Sequence, residues 1–187
     1  MRFRFNERKA AQAAAFLLSR HGGQLNYMAL IKLLYLADRA ALIERGLPIT
    51  GDRMVSMQHG TVLSGILNRI NTGPEDSKRF AWFDYVSPPT DYTVRLMAEP
   101  EVDELSEYEL GLLTKIDEQF GHLSQWQLRD YTHTLPEWED PHGSSLQIEP
   151  ADILRLEAFS PDDVRRIHEE AEAGWLIGRI ASGRNWK

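Results

Sequence analysis

Six histidines, an excess of carboxylates and no cysteine set the chemistry open to this 187-residue chain. Without thiols there can be no disulfide, no thiolate nucleophile and no Cys-built zinc site. The densest group of remaining ligand types is His133-Thr-Leu-Pro-Glu137-Trp-Glu139-Asp140-Pro-His142, with two imidazoles and three carboxylates in ten residues. Donors of that kind suit a metal-dependent hydrolase acting through His133, Asp140 and His142. The prolines, however, break any helix that would present them at a repeated spacing. His133 also falls near a helix end, where the macrodipole favours a protonated ring. His59 with Asp52 and Ser56 supplies the residue types of a nucleophilic triad, but in no recognisable spacing. Thr61-Val-Leu-Ser64-Gly lacks the glycine that a nucleophile elbow places two residues before its serine. Gly22-Gly23 and Gly60 form neither a phosphate loop nor a dinucleotide fingerprint. The chain is expected not to be an enzyme.

The other polar residues of interest lie in an apolar setting. Asn26 to Arg45 reads as a helix, capped by Asn26 and stopped by Gly46. Tyr27, Leu30, Ile31, Leu34 and Ala41 share one stripe, while Leu33, Leu36 and Leu42 lie off it, so apolar groups cover two sides. Such a helix is central, and its Lys32, Asp38 and Arg39 must snorkel to water or find partners.

Around this rod the expected elements follow in order. Arg2 and Arg4 alternate with Phe3 and Phe5, as in an edge strand or an arm that docks its rings. Glu7 to Arg20 is an Ala-rich helix closed by Gly22-Gly23. Arg53 to Gln58 alternates like a half-buried strand, and Thr61 to Asn71 has helical spacing that puts His59 just before a helix N-terminus. Phe80–Val86 and Tyr92–Met97, joined by Ser-Pro-Pro-Thr-Asp, read as an antiparallel pair that extends the Arg53 strand. Ser106 with Glu109 and Ser124 with Gln127 are capping boxes for two further helices. Glu137 to Pro150 is an irregular loop. Ala151 to Leu156 is a short helical turn, and Ser160-Pro161 opens a last helix to about Ala173. The tail from Gly174 is too apolar to be idle. The expected fold is α+β: a mostly helical single domain over residues 1–187 with a central buried helix and a small antiparallel sheet of about three strands.

The net charge of −7 disfavours broad binding to nucleic acid. Eight acids against Lys115 alone between Glu99 and Glu118 would speed encounter with a basic partner, or simply keep the surface solvated. No apolar run is long enough to cross a bilayer, and the first residues lack a signal-peptide core, so a cytoplasmic location is expected.

Three segments together resemble a known family. They are Lys32-Leu-Leu-Tyr-Leu-Ala-Asp38; Gly46-Leu-Pro48-Ile-Thr-Gly51-Asp52-Arg53-Met-Val-Ser-Met-Gln-His59-Gly60-Thr61-Val62; and Thr132-His133-Thr-Leu-Pro136-Glu-Trp138. Their order and spacing are similar to the Panacea (SocA-like) domain of phage-associated proteins, over about residues 7 to 140, with the C-terminal helix and apolar tail (151–187) outside it. One departure is Thr61, where the family usually has proline. The resemblance implies an antitoxin of a toxin-antitoxin pair that binds a cognate toxin encoded by the adjacent gene. One branch of the family acts as an adaptor delivering its toxin to a Clp protease. It carries over to Lys32, Tyr35, Asp38, Pro48, Asp52, His59, Gly60, His133 and Trp138, read mainly as builders of the domain. Lys32 is expected to pair with an acid, His133 to tie a loop, Pro48 to kink the chain and Gly60 to turn it. No cofactor or metal is implied. Toxin contacts are expected among the exposed aromatics Phe3, Phe5, Trp82, Tyr92, Trp175 and Trp186. An autoregulator that binds its own promoter through the basic arm is the remaining alternative, and self-association is left open.

Overall fold

The computed structural model describes residues 1–72 and 80–181, with side chains given through residue 177. Helix α1 (Glu7–Arg20) is capped by Asn6, whose side chain accepts from the Lys9 N–H. Strand β1 (Gln24–Asn26) leads into α2 (Tyr27–Arg45), for which Asn26 is the N-cap and Gly46, at φ 73°, the left-handed C-cap. Twelve residues of α2 are buried, Lys32 and Asp38 among them. The helix is therefore central: α1 and β1 pack on it, as do residues 60–70, 107–120, 125–133 and 150–156 further along the chain.

The hairpin pairs β2 (Met54–Met57) with β3 (Gly60–Leu63), Met57 opposite Gly60. Thr61 to Leu63 is thus a strand, and α3 (Ser64–Ile70) begins only afterwards. His59 lies in the hairpin turn, not at a helix start. All four residues of β3 are buried, with α2 and the helix Gln125–His133 both packed on the strand. A strand covered on both faces loses the alternation that would identify it in sequence.

The two aromatic segments do not pair as the expected two strands of one sheet. Phe80–Val86 holds a one-turn helix, α4 (Trp82–Tyr85), because Trp82, Tyr85 and Val86 bury at helical spacing. Trp82 is wholly buried, so it offers no exposed aromatic surface. Strand β4 (Thr93–Arg95) pairs with β1, with Leu25 opposite Val94, in a separate two-stranded sheet. The three-stranded antiparallel sheet is β3-β2-β5, its last member β5 (Leu146–Gln147) coming from the loop expected to be irregular.

Helices α5 (Glu107–Phe120) and α6 (Gln125–His133) both start at the expected capping boxes. The chain closes with α7 (Pro150–Leu156) and α8 (Pro161–Ala181). Helix α8 runs through Gly174, since Val164, Ile167, Ala171 and the half-buried Trp175 continue one stripe across it. Trp186 lies outside the described residues. The acids between 99 and 118 mostly tie down α1: Arg8 meets Glu101 and Asp103, Lys9 meets Glu109, and Arg20 and His21 share Asp117. The paired acids form a clasp, while Glu99, Glu107 and Glu118 remain an exposed negative face. No helix among the described residues is long and apolar enough to cross a membrane.

Candidate functional site

The residues of the three motifs converge on α2. Lys32, Tyr35 and Arg39 stand three and four residues apart, so they form one polar row along a helix that is otherwise apolar. Each end of the row is held by a different part of the chain.

At the first end, Lys32 is fully buried. Its Nζ donates to the Thr61 carbonyl and to Thr132 Oγ1, both at 3.3 Å, while Thr132 Oγ1 donates to the Arg129 carbonyl at 2.9 Å. Among the described residues no acid answers it, contrary to expectation. Burial, helped by the Arg129 charge, lowers its pKa to about 7, which eases the cost of placing an amine in the core. Gly60 sits against this amine with φ +88°. A Cβ there would stand 2.7 Å from Lys32 Nζ and would collide with Thr132 Oγ1. The glycine therefore serves both the turn and the seating of Lys32.

At the other end, Glu137 is the buried acceptor. Tyr35 donates to it at 2.8 Å and Arg39 Nε at 2.7 Å, and a second Arg39 nitrogen reaches Glu157 after α7 at 2.5 Å. Burial, with the carboxylate beside it, raises the Tyr35 pKa well above its ordinary value. Arg39 thus links α2 to the Pro136–Trp138 turn and to the C-terminal segment.

Asp38 faces elsewhere. Its carboxyl accepts from the Thr50 N–H at 2.9 Å and from the Thr50 hydroxyl, and Thr50 Oγ1 accepts in turn from the Asp52 N–H at 3.1 Å. Asp52 then accepts from the N–H groups of Gly65 and Ile66 at 2.9 and 2.8 Å, capping α3 from a distance. Full burial raises the Asp38 pKa to about 7, with the Thr50 bonds opposing. Burial likewise raises that of Asp52, against its backbone donors. Pro48 is buried at the start of this clamped loop.

His133 stacks on Trp138, ring centroids 4.2 Å apart, and Trp138 Nε1 donates to the Met57 carbonyl at 3.2 Å. The histidine also makes a backbone hydrogen bond with Gln58 in the hairpin turn. Burial and the charges of Lys32 and Arg129 lower its pKa, opposite to the shift expected from the helix end. His142 is exposed, its ring nitrogen 3.8 Å from Asp140. Among the described residues no three of His, Cys, Asp and Glu are arranged to hold a metal. His133, Asp140 and His142 are not brought together.

His59 is exposed, its ring set edge-on to Trp126 at 6.4 Å, and the Arg129 guanidinium lies 5.1 Å over the same indole. Sequence reasoning missed Trp126, Thr132 and Thr50, and read Glu137 only as a candidate ligand, not as the partner of Tyr35 and Arg39. The signal available for Glu137 was its place in the Leu135-Pro136-Glu137-Trp138 turn; for the others there was none.

This is an α+β domain in which widely spaced motifs are spent on a buried polar frame. The family model of the antitoxin SocA-like, Panacea domain matches residues 30–139, more than half of the chain, and the chain belongs to that family. Neither curated proteins nor solved structures give a match.

Proposed function

We propose that this protein neutralises a cognate protein toxin, encoded beside it, by binding that toxin directly in the cytoplasm. Residues 1–187 would act as one unit. Family membership supports the class of partner. The observation that carries the binding reading is where the aromatic surface lies. Trp126, in the matched segment, is 49% exposed and braced between Arg129 and His59, and Tyr92, 70% exposed, stacks on Tyr27. Trp, Tyr and Arg held rigidly at the surface are the side chains that dominate protein interfaces. The other motif residues, His59 apart, are engaged inside and support that surface. Phe3 and Phe5 pack partly against the core and Trp175 against Arg2, so the arm and α8 are secondary contact candidates.

The test is expression of the adjacent reading frame with and without this chain. Growth arrest relieved by coexpression, with the two proteins copurifying, is the expected result. Relief that survives in a protease-deficient host separates sequestration from delivery to a Clp protease. Arrest that persists despite coexpression rejects the reading.

A further inference from the structure

Between positions 137 and 152 the chain carries five acids and neither Lys nor Arg. Strand β5 lies within that stretch and, among the described residues, pairs with β2 alone, so it is an edge of its sheet. Residues 142–147 are all exposed. The Ile148 N–H donates to the Met54 carbonyl at 2.9 Å, which makes these two residues a hydrogen-bonded pair of the ladder. Val55 and Gln147, one step along, are then a non-bonded pair, and the Gln147 N–H and carbonyl point away from β2. Neither meets a backbone partner among the described residues. An open edge of this kind is a template for one more strand.

A cleft of about 370 Å³ is lined by β5 together with α7 and the 136–139 turn. Part of its wall is apolar and open to water: Leu146 is 40% exposed and Leu156 51%. The rest carries Glu139, Glu149 and Asp152 against Arg155 alone, while Glu137 is answered by Arg39. The Glu139 carboxylate has no partner among the described residues. Glu149 holds the Gln147 amide at 2.7 Å and, at 3.9 Å, the N-terminal amine. Asp152 pairs with Arg155, but both side chains are more than half exposed, and such a pair is weak. The local balance is therefore negative, beside an unpaired strand edge and an apolar surface.

We propose that this edge takes an extended, basic segment of a partner protein, which joins the sheet as a strand beside β5. Every second side chain of an added strand faces the side of the sheet that carries the cleft. Lys or Arg at those positions matches both parts of the wall: the aliphatic stem lies on Leu146 and Leu156 while the cationic head reaches the acids. A second copy of this chain, paired edge to edge, would bring the same acids together and is the disfavoured occupant. A polyamine would meet the acids but leave the backbone edge open. Occupancy of this edge does not depend on the antitoxin reading.

Calorimetric titration of the full chain with a short acetylated peptide that alternates lysine and threonine tests it, with amide NMR shifts to locate the complex. Submillimolar binding, with shifts centred on residues 145–147 and the cleft wall, is the expected result. Glutamate in place of the lysines, or methylation of the peptide's backbone nitrogens, should each weaken binding about tenfold or more. Gln147→Pro, which removes the outward N–H and spares the ladder to β2, should weaken it about tenfold, as should Glu139→Gln combined with Glu149→Gln. Glu118→Gln, at an exposed acid of α5, should leave it unchanged. No binding at millimolar concentration overturns the proposal, and so do shifts centred elsewhere. Equally fatal is a methylated peptide, or spermine, that binds as tightly as the lysine peptide, or a dimer of the free chain that protects the Gln147 amide. The comparison among peptides needs no variant and stands if a substituted chain fails to fold.

Discussion

The amine of Lys32 and the bare Cα of Gly60 are fitted to each other: a single methyl at position 60 would come within 2.7 Å of Nζ, in a residue already at φ +88°. The turn of the hairpin and the burial of the lysine are one arrangement. Gly60→Ala should destabilise the protein by about 3 kcal/mol or more. Left-handed backbone accounts for about 1–2 kcal/mol of this and the collision for the rest. Chemical denaturation measures the total. Adding Thr132→Ala, which removes the hydroxyl in the way, should recover part of the steric share and none of the backbone share.

Lys32 and Asp38 should leave opposite marks on stability as pH changes. Asp38 is raised from 3.8 to about 7 in the folded chain, so its contribution is full below pH 3.8 and is lost as pH rises through about 7. Lys32 is lowered from 10.5 to about 7, so its contribution is full above pH 10.5 and is lost as pH falls through about 7. The two together dig a trough near neutrality, each on the order of 4 kcal/mol deep. Denaturation midpoints across pH should show a flatter acid limb in Asp38→Asn and a flatter alkaline limb in Lys32→Met. Unchanged limbs in both variants would rule the trough out.

Arg39 and Glu137 form a pair that tolerates joint removal better than separation. Arg39→Met leaves Glu137, whose side chain is 1% exposed, without its cation, a loss of about 3–5 kcal/mol. Tyr35→Phe, which removes one donor to the same carboxylate, should cost about 1 kcal/mol. In a double-mutant cycle, Arg39→Met with Glu137→Gln should be clearly less destabilising than the sum of the two single changes.

Trp126→Ala should weaken toxin binding by about 2 kcal/mol or more, roughly thirtyfold, while leaving the melting temperature within a few degrees of the parent, because half of the indole already faces solvent. Tyr92→Ala tests the second exposed ring in the same assay. Wild-type neutralisation in both variants moves the contact surface elsewhere.

Much of the frame could be read directly from the chain. The rod from Asn26 to Gly46, the Ala-rich helix before it and the two capping boxes are local features, decided by caps and by apolar spacing within a few turns. So was the polar anomaly itself: Lys32, Asp38 and Arg39 stood out as charges on a helix with too little open face to expose them. The spacing of three motifs also placed the chain in its family.

What answered those charges could not be read, because each partner is far along the chain and chemically ordinary. Lys32 meets a carbonyl and a threonine hydroxyl, Asp38 meets Thr50, and Arg39 meets a glutamate at position 137. Strand β3 was mistaken for a helix because burial on both faces erases the period of two, and Phe80–Val86 became a helical turn because three of its residues had to face the same core. Local periodicity determines which segments are ordered and which side chains need a partner. Only packing, which brings α2, the hairpin and α6 into contact, decides who that partner is, and with it the downward shift of the Lys32 and His133 pKa values.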